Sequence, residues 1–151
     1  MTVQDLMSVD VITIPESATC REAVGLMFRH RVRHLPVVAA DGALRGIVTD
    51  RDLRHHLFEP AVFKEVGSVS VEQLLAAVPV RQVMSAPVIS VRPADSLEDA
   101  ARLMLEDKVG SLPVVRDRRV VGIITETDLL RRIVRADEGC ADVQQIVVSY
   151  P

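Results

Sequence analysis

The chain repeats itself, and that repeat limits its fold more than any other feature. Met7-Ser8 recurs as Met84-Ser85 and Val11-Ile12 as Val88-Ile89, an offset of 77 positions (84 minus 7). At the same offset Ala23, Leu26 and Met27 match Ala100, Leu103 and Met104. Val32 and Leu35-Pro36-Val37-Val38 match Val109 and Leu112-Pro113-Val114-Val115. One residue fewer in the second copy, beside Ala40-Asp41-Gly42, then aligns Gly46-Ile47-Val48-Thr49 with Gly122-Ile123-Ile124-Thr125 and Asp52-Leu53 with Asp128-Leu129. Matches spread over a whole unit, with the gap in a turn, mark a duplicated structural unit.

Each copy reads in the same order. After a short leading segment comes a β-branched run, Val11-Ile12-Thr13-Ile14 or Val88-Ile89-Ser90-Val91, which predicts a buried strand. Thr19 with Glu22, and Ser96 with Asp99, have the spacing of a helix N-terminal box, the second in a shortened form. The i, i+3, i+4 spacing of Ala23, Leu26, Met27 and of Ala100, Leu103, Met104 predicts one buried helix stripe per copy. Two strands follow, Leu35 to Val38 and Arg45 to Thr49, joined through Asp41-Gly42, and a closing helix runs from Asp50 to Leu57. The second copy supplies Leu112 to Val115, Val120 to Thr125, and a closing helix from Glu126 to Val134.

These units define an α/β (α+β) chain of two βαββα units. The expected division is a first unit at 1–57, a structured connector at 58–79 with helix near Val71 to Val78, a second unit at 80–135, and a tail at 136–151. In the tail Ile146-Val147-Val148 could add a strand or dock on a partner. A single unit this small cannot cover its own apolar surface, so the copies should pack face to face.

Composition narrows the function. A formal net charge of −3, 3% aromatic residues and no Trp argue against a nucleic-acid surface or a base-stacking platform. No basic leader and no long apolar run are present, which predicts a cytoplasmic chain without membrane contact. Cys20 and Cys140 form no Cys-x-x-Cys and read as reduced thiols. His30 and His34 are four apart, but Leu35-Pro36 ends the helix before they could share a face, which argues against zinc. The sequence holds no nucleophile with a base, no paired acids and no phosphate loop, so the chain is not expected to be an enzyme.

Two copies of Leu-Pro-Val-Val followed by Gly-Ile-(Val/Ile)-Thr-x-x-Asp resemble the cystathionine β-synthase type (CBS) domain, over Val3 to about Val134. The resemblance implies a pseudo-twofold Bateman-type module with adenosine-containing ligands (AMP, ADP, ATP or S-adenosylmethionine) in the clefts between the units. It implies a regulatory role, a homodimer and an unknown protein target. No obligatory cofactor is implied.

Carried over by position, Thr49, Arg51, Asp52 and Arg33 make one ligand site, with Ile89 and Val109 of the other copy against the base. Thr125, Thr127 and Asp128 make the second, with Ile12, Val32 and Gly110. A strand-end Thr could donate its hydroxyl to phosphate and the helix N-terminus could favour an anion, while the Asp could accept from a ribose diol. The two sites are unequal, because Arg33 and Arg51 supply cations where Gly110 and Thr127 supply none.

The same Thr and Asp could equally be caps of the closing helices. An alternative function is a protein-interaction or nucleic-acid-associated regulatory module with empty clefts.

Overall fold

A computed structural model describes residues 1–57 and 70–136. The first copy contains a 3-10 turn (Val3–Asp5), β1 (Ile14–Pro15), α1 (Cys20–His30), β2 (His34–Val38), β3 (Leu44–Thr49) and α2 (Asp50–Leu57). Next come α3 (Val71–Ala77) and a second 3-10 turn (Val80–Gln82). The second copy continues with α4 (Leu97–Asp107), β4 (Ser111–Arg116), β5 (Arg119–Thr125) and α5 (Glu126–Ala136). The expected tail strand at Ile146-Val147-Val148 and the first part of the connector lie outside the described residues.

Local chemistry sets the helix starts. The Thr19 hydroxyl accepts the Glu22 N–H at 3.2 Å, and the Glu22 carboxylate accepts the Thr19 N–H at 2.7 Å, a complete capping box. At Ser96 the hydroxyl accepts the Asp99 N–H at 3.0 Å, but the shorter Asp99 carboxylate takes only the Ser96 hydroxyl, at 2.7 Å. Both helices end on a residue in the left-handed region, Arg31 (φ 54°) and Lys108 (φ 55°), whose N–H bonds back to the Met27 or Met104 carbonyl.

The strands pair as antiparallel hairpins, β2 with β3 and β4 with β5, and each hairpin has an irregularity between two consecutive valines, Val37/Val38 in β2 and Val114/Val115 in β4. The missing residue of the second copy falls at the hairpin turn. In the first copy Gly42 takes φ 82° and the Asp41 carboxylate accepts the Ala43 N–H at 3.0 Å. In the second, Asp117 and Arg118 make a two-residue turn with both φ positive, the geometry that matches strand twist.

One expectation is corrected. Val11-Ile12-Thr13-Ile14 is not a four-residue strand: only Ile14–Pro15 pairs, parallel to Val37–Val38, and in the second copy only Val91 bridges to Val114. The physical reason is an exchange of leading segments. Val3 lies in the core of the second copy with Val91, Leu97, Leu112 and Ile124, and Leu6 and Met7 pack against that core. Val80 lies in the first core with Ile14, Met27, Leu35 and Val48, and Val83 and Met84 pack against that one. Ser8 exchanges two backbone hydrogen bonds with Ile123 (2.9 and 3.0 Å), and Ser85 does the same with Ile47 (3.1 and 2.8 Å). Residues 9–13 and 86–90 therefore cross between the two cores and are used as crossings, not as ladder strands.

The exchange explains the repeated Met and Gly. A Cβ built on Gly46 would lie 2.6 Å from the Met84 Sδ, and one on Gly122 would lie 2.5 Å from the Met7 Sδ. The thioethers occupy the space the glycines leave. Helix α3 closes the outer side of the first core, and Arg21 on α1 meets Glu72 on α3 at 3.0 Å. Beneath it Cys20 is buried among Leu53, Leu74 and Leu75, and burial pushes its thiol pKa up to about 11.

Candidate functional site

The closing helices begin where the strands end. The Thr49 hydroxyl accepts the Asp52 N–H at 3.1 Å and donates to Asp52 Oδ2 at 2.8 Å, and the same oxygen accepts the Thr49 N–H at 2.8 Å. Thr125 and Asp128 repeat this at 3.3, 2.7 and 2.9 Å. Without a ligand each Thr hydroxyl is engaged within its own cap, the second of the two roles expected for it. Helix amides are also partly used: the Asp50 N–H bonds to the Arg33 carbonyl and the Glu126 N–H to the Gly110 carbonyl, both at 3.1 Å. What each box leaves open is the second carboxylate oxygen. That of Asp128 has Arg131 at 3.9 Å.

Thr49, Arg51, Asp52, Arg33, Ile89 and Val109 line the same continuous cavity as Thr125, Thr127, Asp128, Ile12, Val32 and Gly110. Its volume is about 770 Å³, room for a ligand of nucleotide size. The two candidate sets thus face one shared space. The crossing segments form its walls, with Ser8, Asp10 and Val11 on one side and Ser85, Pro87 and Val88 on the other.

Residues beyond the sequence-derived set also reach the cavity. Arg31 and Lys108 line it from the left-handed ends of α1 and α4, and they occupy equivalent positions of the repeat. A cation kept at offset 77 was the available signal for them. Arg54 and Arg131 line it as well, but Arg54 is engaged by Asp50 at 2.9 Å. The first copy contributes Arg31, Arg33, Arg51 and Arg54, and the second Lys108 and Arg131. Each copy thus adds two cations to the contrast expected from Gly110 and Thr127, which becomes four against two, with Arg54 held by Asp50 and Arg131 beside Asp128.

His30 ends α1 and His34 opens β2, so the two occupy different elements. Among the described residues no group of three His, Cys, Asp or Glu is arranged to hold a metal ion, and no helix is long and apolar enough to cross a membrane.

A doubled βαββα-like fold with a cavity between the copies, flanked by twin Thr-x-x-Asp caps, defines the class. The CBS domain family model matches residues 3–59 and 80–135, and the chain belongs to that family.

A CBS domain-containing protein of Bacillus subtilis, YhcV, is 36% identical over 84% of this chain and 81% of its own length. Homoserine O-acetyltransferase of Methanohalobium evestigatum is 33% identical over 87% of this chain, which spans only 24% of that protein. Among solved structures, the CBS domain pair of protein MJ0100 in complex with 5′-methylthioadenosine and S-adenosyl-L-methionine superposes with a TM-score of 0.77 at 27% identity, covering 91% of this chain and 98% of that one. CBSX2 in complex with AMP superposes at 0.70 with 29% identity, covering 91% and 98%.

Proposed function

We propose that the chain is a regulatory module whose cavity binds an adenosine-containing ligand and whose response is a change of conformation or assembly. The observation that carries this reading is the shared cavity: the Asp52 and Asp128 oxygens outside the capping bonds for ribose hydroxyls, apolar walls from Ile12, Val32, Ile89 and Val109 for a base, and cations for phosphate. The ligands held by the related CBS pairs, 5′-methylthioadenosine, S-adenosyl-L-methionine and AMP, belong to the same chemical class. Arginines, not the capped helix ends, carry phosphate recognition, and the half around Asp52 is the stronger phosphate site. The ligand acts as a regulator and no obligatory cofactor is required.

Signalling requires the ligand to bind two states unequally. The residues that cross between the cores also line the cavity, so a ligand there touches both units at once. Self-association completes the reading. Phe28 on α1 and Leu105 on α4, equivalent in the repeat, are 88% and 80% exposed, and Leu130, Ile133 and Val134 add exposed apolar surface on α5. A homodimer in the cytoplasm, acting on a protein target, fits that surface.

Thermal melting with AMP, ADP, ATP, S-adenosylmethionine and NADH tests the ligand class, because a ligand that binds only the native state raises the midpoint. Millimolar AMP or S-adenosylmethionine should raise it by several degrees; no shift with any of the five would remove the reading. Light scattering should give twice the 16.6 kDa chain mass.

A further inference from the structure

At one step of the repeat that lines the cavity the copies differ in both size and charge: where the second has Gly110-Ser111, the first has Arg33-His34. Ser111 is 5% exposed and carries no group that titrates near neutral pH. His34 opens β2 opposite Thr49, and its imidazole reaches across to the second copy. The point a Cβ on Gly110 would occupy lies 3.3 Å from His34 Nε2 and 3.5 Å from Glu126 Oε2. The small pair of one copy leaves the room that the large pair of the other fills. Among the described residues, His34 is the one imidazole lining the cavity, and both halves share it.

Charged groups face it from every side: Arg33 beside it, Asp50 and Asp52 from α2, and Glu126 from α5. Lys108, before β4, lines the same cavity. Without a ligand, burial and the Arg33 charge hold the imidazole below its ordinary 6.5, despite the three carboxylates. A phosphate placed among Arg33, Arg51 and His34 would add negative charge beside a half-buried imidazole and favour its protonated form.

We propose that His34 couples phosphate binding in this cavity to proton uptake, so that a phosphate-bearing adenosine ligand binds more tightly as pH falls, whereas a phosphate-free adenosine does not. This rests on the reading of the cavity as an adenosine-ligand site. The sign follows from linkage. Between the imidazole's ligand-free and ligand-bound pKa values, binding takes up a proton, so affinity rises as pH falls through the bound value and levels off beneath the free one.

Calorimetry of the full chain with AMP and with 5′-methylthioadenosine, between about pH 8 and pH 5, tests this against His34→Gln. Titration of the AMP phosphate itself is common to both proteins and cancels in the comparison. Wild type should gain about tenfold more AMP affinity over that range than His34→Gln, the equivalent of one pKa unit. Binding of 5′-methylthioadenosine should show the same pH dependence in both.

Equal pH dependence for AMP in the two proteins overturns the coupling and leaves the adenosine-site reading standing. Failure of both ligands to bind wild type overturns that reading itself. Imidazole NMR titration of wild type reads the same quantity without a variant: AMP should raise one midpoint by about one unit, and four unmoved midpoints would overturn the proposal.

Discussion

The two Thr-x-x-Asp boxes are nearly superimposable in their bonding and unlike in their surroundings. Thr49–Asp52 and Thr125–Asp128 make the same three hydrogen bonds, each within 0.2 Å of its counterpart. Around the first stand Arg33, His34 and Arg51, and around the second Gly110, Ser111 and Thr127. The shared part is architecture: it stops a strand and starts a helix. On the function proposed above, ligand choice falls to the side chains that diverged, whereas the backbone of Arg33 and Gly110 serves both copies alike, each carbonyl accepting the first N–H of a closing helix.

The largest effect should come from the exchanged leading segments, where the halves also differ. A Cβ on Gly46 would sit 2.9 Å from the Ser85 backbone oxygen, whereas on Gly122 the nearest backbone atom, the Ser8 oxygen, lies 3.2 Å away and the closest contact is the pliable Met7. Gly46→Ala should lose about 1–3 kcal/mol in urea unfolding and Gly122→Ala less. Equal losses would show that the thioethers, not the backbone, set the limit.

Thr49→Val and Thr125→Val should each lose about 1 kcal/mol, the value of a cap. A much larger loss at one of them would break the equivalence of the boxes.

A smaller effect is expected from His34 in the absence of ligand. Its folded pKa lies below 6.5, so the unfolded chain binds the proton more readily. Its contribution to stability is complete above 6.5 and is lost as pH falls through the folded value. His34→Gln should flatten the acid side of the melting curve; an unchanged slope would show that the imidazole is not held neutral.

Smallest of all, Cys20 stands where the second copy has Leu97, and both are buried. With its pKa near 11, the thiol should resist iodoacetamide at neutral pH until the chain unfolds. Rapid labelling of Cys20 in the native protein, identified by peptide mapping, would contradict that packing.

The helices and hairpins were readable because their signals are local. The Thr19 box, the Ala23–Leu26–Met27 stripe and the shortened second turn each act within a few residues. The boundary of β1 was not readable, because Val11-Ile12-Thr13-Ile14 has strand character whether or not a partner lies beside it. Only the tertiary exchange of the segments around Val3 and Val80 turns residues 9–13 into a crossing. The cavity was implied by the family resemblance and its asymmetry by comparing the copies, yet Arg31 and Lys108 were missed because a basic residue at a helix end has an ordinary solvated role. The capping role of Thr49 was readable from its three-residue spacing to Asp52, which the structure closes with short hydrogen bonds.

The central claim is that divergence around conserved caps makes one half of the cavity the stronger phosphate site. Calorimetric titration of AMP into Arg33→Gly/Arg51→Thr, which gives the first half the residues of the second, tests it most directly. The account predicts about a tenfold or greater loss of AMP affinity with 5′-methylthioadenosine affinity unchanged. Unchanged AMP affinity in that variant would contradict it.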